Sequence, residues 1–169
     1  MHTFLPADIL LPNCSSMEKW AVIAVDQFAS QPEYWQRVRS FVDGHPSSLH
    51  LVLPEAELSE DDSAAIANIN ATMEQYLKEQ LFQTYENVFI YVERTLLSGK
   101  IRRGVMGQVD LDAYDYTPAS SSRIRATEKT VTERIPPRMN IRRNAPVELP
   151  HVLLLCDDAK GQLLDSLTG

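Results

Sequence analysis

Cysteine is scarce: Cys14 and Cys156 are the only two among 169 residues and stand near opposite ends of the chain. Isolated thiols have neither the paired spacing of a zinc site nor that of a redox motif, so a disulfide scaffold is excluded and a reducing cytoplasm is the expected location. Long apolar runs are missing too. The longest, Trp20 to Val25 and Val152 to Cys156, fall far short of the ~20 residues of a membrane helix, and the amino terminus lacks the basic flank of a secretory leader. No membrane partner is expected. Internal repeats and low-complexity tracts are absent, which removes the collagen-like and disordered classes. His2, His45, His50 and His151 give no metal-ligand spacing with one another or with either cysteine.

What is present suffices for an ordinary core. Hydrophobic residues make up 44% of the chain, and a chain of this length buries roughly 70% of the surface its unfolded form exposes. Residues 1–169 therefore read as a single domain. Phe4 to Pro12, punctuated by Pro6 and Pro12, reads as an extended arm. Ala21 to Val25 is a continuous β-favouring run, and Leu49 to Leu53 is a second, ended by Pro54. Between them Ser30 and Pro32 open a helix through Trp35, Val38 and Phe41 that stops at Gly44. A longer helix from near Ser59 carries Ile66, Ile69, Met73, Tyr76, Leu77 and Leu81 at spacings of three and four, a stripe for core packing. Asn87 to Glu93 and Ile101 to Leu111 form a hairpin around Ser98-Gly99. Tyr116 to Ser122 is loop-like, Pro136-Pro137 should end or kink any helix that reaches them, and His151 to Cys156 reads as a last buried strand. The expected fold is α/β or α+β, a mixed sheet of about five strands with flanking helices.

Charge is distributed unevenly. The window Arg123 to Arg143 holds seven cations against two acids, a balance of plus five, which leaves minus twelve for the remainder of a chain at minus seven. Six of the seven are arginine, whose planar fork suits carboxylate or phosphate. An acidic body repels a long polyanion and no aromatics interleave with the arginines, so nucleic acid is not expected. A small anionic ligand fits better. The site residues singled out are Arg123, Arg125, Thr127, Glu128, Thr130, Arg134, Arg138 and Arg142. There Thr130 and Glu133 have the form of a capping box, Thr127 is a competing start, and a helix amino terminus offers unpaired donors to a phosphate. The structural counter-reading is a capped helix with arginines that are solvated or paired with the acidic body.

The string Arg125-Ala-Thr-Glu-Lys-Thr130, then Glu133-Arg-Ile-Pro-Pro-Arg138, Ile141-Arg142 and Ala145-Pro-Val-Glu-Leu-Pro-His151, resembles the bacterial family catalogued as domain of unknown function 1015. Trp20 to Ala24 with Asp26-Gln27-Phe28, Pro32-Glu33-Tyr34-Trp35, Asp110-Leu111 and Tyr114-Asp115-Tyr116 look like further landmarks of that family. The resemblance implies that this chain corresponds to the amino-terminal half of longer members. The second half of those members carries a Gly-Asp-Gly-Asn/His-His type motif reminiscent of the nucleotide site in ParB-like proteins and related free-serine kinases.

The first functional expectation is accordingly a domain that binds a phosphate-bearing small molecule or nucleotide through the arginine and threonine segment, as part of a small-molecule kinase. Asp157 and Asp158, which follow an apolar run, are the residues to hold a Mg²⁺ ion beside the nucleotide, although Asp-Asp-Ala-Lys-Gly is also a good turn sequence. The second expectation is of another class, a non-enzymatic domain that uses the same basic segment for protein docking or for association with its own second copy. The residues themselves name no reaction.

Overall fold

The computed structural model describes residues 3–13, 16–115, 117–125, 130–149, 151–160 and 162–164. They divide into two compact units, a helical unit of residues 11–83 and 131–151 and a hairpin unit of residues 1–10, 84–130 and 152–169. The strands are β1 (Phe4–Leu5), β2 (Ala7–Pro12), β3 (Phe82–Val88), β4 (Ile90–Thr95), β5 (Ile101–Met106) and β6 (Gln108–Val109). The helices are α1 (Met17–Trp20), α2 (Pro32–Val42), α3 (Ser63–Lys78) and α4 (Ile135–Arg142), with short 3₁₀ turns between them.

In the helical unit α2 begins with Pro32 in its first turn, where a missing N–H costs nothing, and ends at Val42 just before Gly44, whose φ of +67° is the left-handed conformation glycine tolerates. Helix α3 starts at Ser63, four residues after Ser59, because Asp62 is occupied in accepting the Ser59 N–H at 2.9 Å and hydroxyl at 2.8 Å. Its stripe packs as its spacing requires: Ile69, Met73 and Tyr76 are buried with Trp20, Leu51 and Leu53, and Ile141, Val147 and Leu149 close over them. A second cluster gathers Val42 and Leu49 around the fully buried Trp35.

The hairpin unit is built on β4 and β5, antiparallel and in register from Ile90 opposite Met106 to Thr95 opposite Ile101. Its turn is the expected one, with Gly99 at φ +78° and its N–H on the Leu96 carbonyl at 2.9 Å. Strands β1 and β6 pair antiparallel. Gly107 leads into β6 where a Cβ would stand 2.6 Å from the Leu5 carbonyl oxygen, so no larger residue fits there without a shift.

The mixed α/β class is as expected, but a single sheet of about five strands is not formed among the described residues. Six short strands pair two by two, β1 with β6, β2 with β3 and β4 with β5. Ala21 to Val25 is irregular chain; its Val25 carbonyl accepts the Glu55 N–H at 2.9 Å from a 3₁₀ turn, which offers no ladder to continue. Leu49 lies in the 3₁₀ turn Ser48–Leu51, started by the Ser47 side chain accepting the Leu49 N–H at 3.2 Å. Residues 151–156 pair with no strand among the described residues. The proline pair also differs from expectation, because Pro136 and Pro137 lie inside α4, at its first turn, and start the helix instead of ending it.

Candidate functional site

The basic segment is divided by the fold. Arg123, Arg125 and Thr130 belong to the hairpin unit, and Arg134, Arg138 and Arg142 to the helical unit. Thr127 and Glu128 lie outside the described residues, as does the Arg134 side chain. Arg123 is exposed, Thr130 is exposed, and the Arg125 Nε donates to the Ser122 carbonyl at 3.4 Å. The expected capping box is replaced by a 3₁₀ turn, Thr132–Arg134, whose N-cap is Val131, a residue with no side-chain acceptor. With Pro136 and Pro137 in the first turn, α4 also has two fewer N–H groups to offer an anion. Charge recognition on this element therefore falls to side chains.

Those side chains are positioned by acids. The Arg138 Nη2 donates to Glu55 at 3.1 Å, and the Arg142 Nε lies 3.3 Å from Glu148. The two arginines are four residues apart on α4 and so project from one side of it. Their side chains remain 51% and 47% exposed. Solvent-exposed pairs of this kind contribute about 0–1 kcal/mol, so neither guanidinium is committed to its carboxylate.

At the other predicted position Asp158 accepts the backbone N–H groups of Gln162 at 3.1 Å and Leu163 at 2.8 Å. Its carboxylate is thereby engaged by nearby backbone. Asp157 is exposed. No cluster of three or more metal-ligating side chains occurs among the described residues. Asp26 lies in an exposed turn beside Gln27.

A feature that residue patterns did not reveal is a groove of ≈ 570 Å³ in the helical unit, beside α3 and the 3₁₀ turn Ser48–Leu51. His50 and Tyr76 line it with Arg39, Glu57 and Thr72. The Tyr76 hydroxyl oxygen accepts the Ser47 N–H at 3.1 Å and lies 2.8 Å from the His50 Nδ1. A backbone N–H can only donate, so the Tyr76 oxygen accepts from Ser47 and makes its second contact with the His50 ring nitrogen. Burial first, and then the Arg39 charge, hold His50 below its ordinary pKa, which keeps the ring neutral at pH 7. Burial likewise raises the Tyr76 phenol. Arg39 is fixed by a two-point pair with Glu57, its Nε donating at 3.0 Å. The only signal in the sequence is a polar residue between two leucines, Leu49-His50-Leu51; Tyr76 is indistinguishable from its apolar neighbours in the stripe.

Residues 9–168 match the family model described as protein of unknown function (DUF1015). The chain belongs to that family. As a DUF1015 member it has nearly its whole length inside the match, including both units, the α4 arginines and the groove. Comparison with curated proteins and with solved structures gives no match. No helix among the described residues is long and apolar enough to cross a membrane.

Proposed function

We propose that this DUF1015 chain binds a small phosphate-bearing molecule, and that Arg138 and Arg142 of α4 are its first contacts. The observation that supports this is the pair of half-exposed guanidiniums one turn apart, one held by the partly buried Glu55 and the other by the exposed Glu148. A phosphate dianion carries more charge than the Glu55 or Glu148 carboxylate and matches the arginine fork, so it displaces them at little cost. Arg123 and Arg125 are the further cations of the same sequence window. The nucleotide and kinase extension requires Mg²⁺ and a phosphoryl acceptor, which enter here as experimental variables.

The test is the thermal midpoint of the full chain against inorganic pyrophosphate and a panel of nucleotides, with and without Mg²⁺, since a ligand that binds only the folded state raises it. A rise that disappears in the Arg138→Ala, Arg142→Ala double variant is the expected result. Glu55→Gln should enlarge the rise by removing the competing carboxylate. No rise with any phosphate compound refutes the reading.

The competing reading, protein docking through the same segment, draws on the exposure of Ile135 at 38% and Met139 at 53%, apolar residues four apart on α4. Thr130→Val separates the two. A phosphate site that uses the hydroxyl loses affinity, whereas a charged docking surface is indifferent to it.

A further inference from the structure

Strand β5 has one edge on β4 and, among the described residues, no strand on the other. Its register leaves a defect. Arg94 stands directly opposite Arg102, and neither makes an ion pair among the described residues, while on the other face Glu93 stands opposite Arg103 and pairs with it at 3.3 Å. Like charges directly across a ladder are destabilising, so the Arg94–Arg102 row lacks an acid. Next to it Gly104 faces Val92, and a Cβ at Gly104 would meet nothing within 4 Å, which leaves that row open.

The same unit carries a segment with the opposite deficiency. Val152, Leu153, Leu154 and Leu155 are 85%, 76%, 49% and 85% exposed, belong to no strand, and run into Cys156-Asp157-Asp158. Four apolar residues left in water, then Cys156 and two carboxylates, are an apolar segment without a covering layer. Asp157 has no hydrogen-bond or ion-pair partner among the described residues.

The geometry points to strand exchange between two copies of the chain, in which residues 154–158 of one copy add antiparallel to the free edge of β5 of the other. The charges choose the register. Asp158 falls opposite Arg102 and Asp157 opposite Arg103, which completes one row as Arg94, Arg102, Asp158 and the other as Glu93, Arg103, Asp157. Cys156 then lies in the open row of Gly104, Leu155 in that of Val105 and Tyr91, and Leu154 in that of Met106 and Ile90. A slip of one residue would move every side chain to the opposite face and break the match of two acids with two arginines. Asp158 has lone pairs to spare beyond the two backbone groups it already caps.

A second copy is the donor because within one chain the segment is exposed while the edge beside β5 stays open. Reciprocal donation closes the pair by a twofold axis and converts two marginal hairpins into two three-stranded sheets, the smallest size that is stable by itself. This contact does not involve α4 and is independent of the phosphate reading.

The experiment is sedimentation velocity on the full chain and on two charge-swapped variants, Arg102→Asp with Arg103→Asp, and Asp157→Arg with Asp158→Arg. The wild-type chain is expected to be a dimer, and each variant alone to dissociate about a hundredfold more readily or to be monomeric. An equimolar mixture of the two should form a heterodimer, since each copy then offers the strand that the other's edge requires. Independently of the swaps, Gly104→Cys in a Cys14→Ser background should give a covalent dimer on mild oxidation, and Cys156→Ser should abolish it. A monomeric wild-type chain, a dimer indifferent to both swaps, or a Gly104→Cys chain that closes its disulfide within one copy would each overturn the proposal, the last by showing that the strand docks in its own sheet.

Discussion

The helical unit and the hairpin unit are made from similar residues and reach opposite states. Every buried residue described, from Trp20 to Tyr76, lies in the helical unit, and no described residue of the hairpin unit is buried. Apolar content does not explain the difference, since the hairpin unit contains Phe89, Tyr91, Val92, Ile101 and the Val152–Leu155 run. Geometry does. A helix gathers its apolar residues onto one stripe every three or four positions, and α3 with the chain around Leu49 to Leu53 makes a closed interior from elements near in sequence. A two-stranded ribbon has two faces and two edges, and needs a further layer before either face is removed from water.

Several measurements sharpen or break this comparison. The largest effect is expected in the helical unit, where Trp35→Ala should cost about 3–5 kcal/mol in urea denaturation because the ring is wholly enclosed. A loss under 1 kcal/mol would mean that the cluster around Trp35 is not part of the cooperative core. Next is Tyr76→Phe, which keeps the ring but strands the buried Ser47 N–H and should cost about 1–3 kcal/mol by the same measurement.

In the hairpin unit Gly99→Ala forces a Cβ into a left-handed turn and should cost about 1–2 kcal/mol locally. Hydrogen exchange should show that loss in the β4 and β5 amides and leave α3 unaffected. The His50 effect is smaller and depends on pH. Because its pKa is lowered in the fold, the unfolded chain binds the proton more readily. Its contribution is complete above about pH 6.5, the ordinary value, and is lost as pH falls from there through the folded pKa. Thermal midpoints of the wild-type chain should decline over that window more than those of His50→Asn, and parallel curves would refute the assignment. Smallest is Leu155→Ser, which should move the midpoint of a dilute, monomeric sample by no more than about 0.5 kcal/mol equivalent, since the side chain is 85% exposed.

The residues that were legible are those whose signal is local. Pro32 and Gly44 bracket α2, the stripe from Ile69 to Tyr76 marks α3, and Ser98-Gly99 marks the hairpin turn, because each depends on backbone preferences or on a period within one element. Ala21 to Val25, Leu49 to Leu53 and His151 to Cys156 have strand composition and are not strands. A strand exists only with a neighbour to accept its hydrogen bonds, and composition does not say whether one is available. Pro136-Pro137 is similar, since two prolines end a helix from within but begin one from its first turn, and only the position of Thr132–Arg134 settled which. The basic character of residues 123–143 was evident from counting, but the pairing of Arg138 with Glu55, eighty-three positions away, was not.

By itself, then, the sequence determined the mixed class, the two main helices, the hairpin and its turn, the uneven charge and the family, all properties of residue order and spacing. Tertiary structure alone decided that the strands pair two by two, that the α4 arginines meet acids before any ligand, that Tyr76 within the apolar stripe joins Ser47 and His50 through its hydroxyl, and that one unit has a buried core among the described residues while the other does not. These depend on which distant groups meet, and a hydrogen bond, an ion pair or a closed core is a property of that meeting and not of either partner alone.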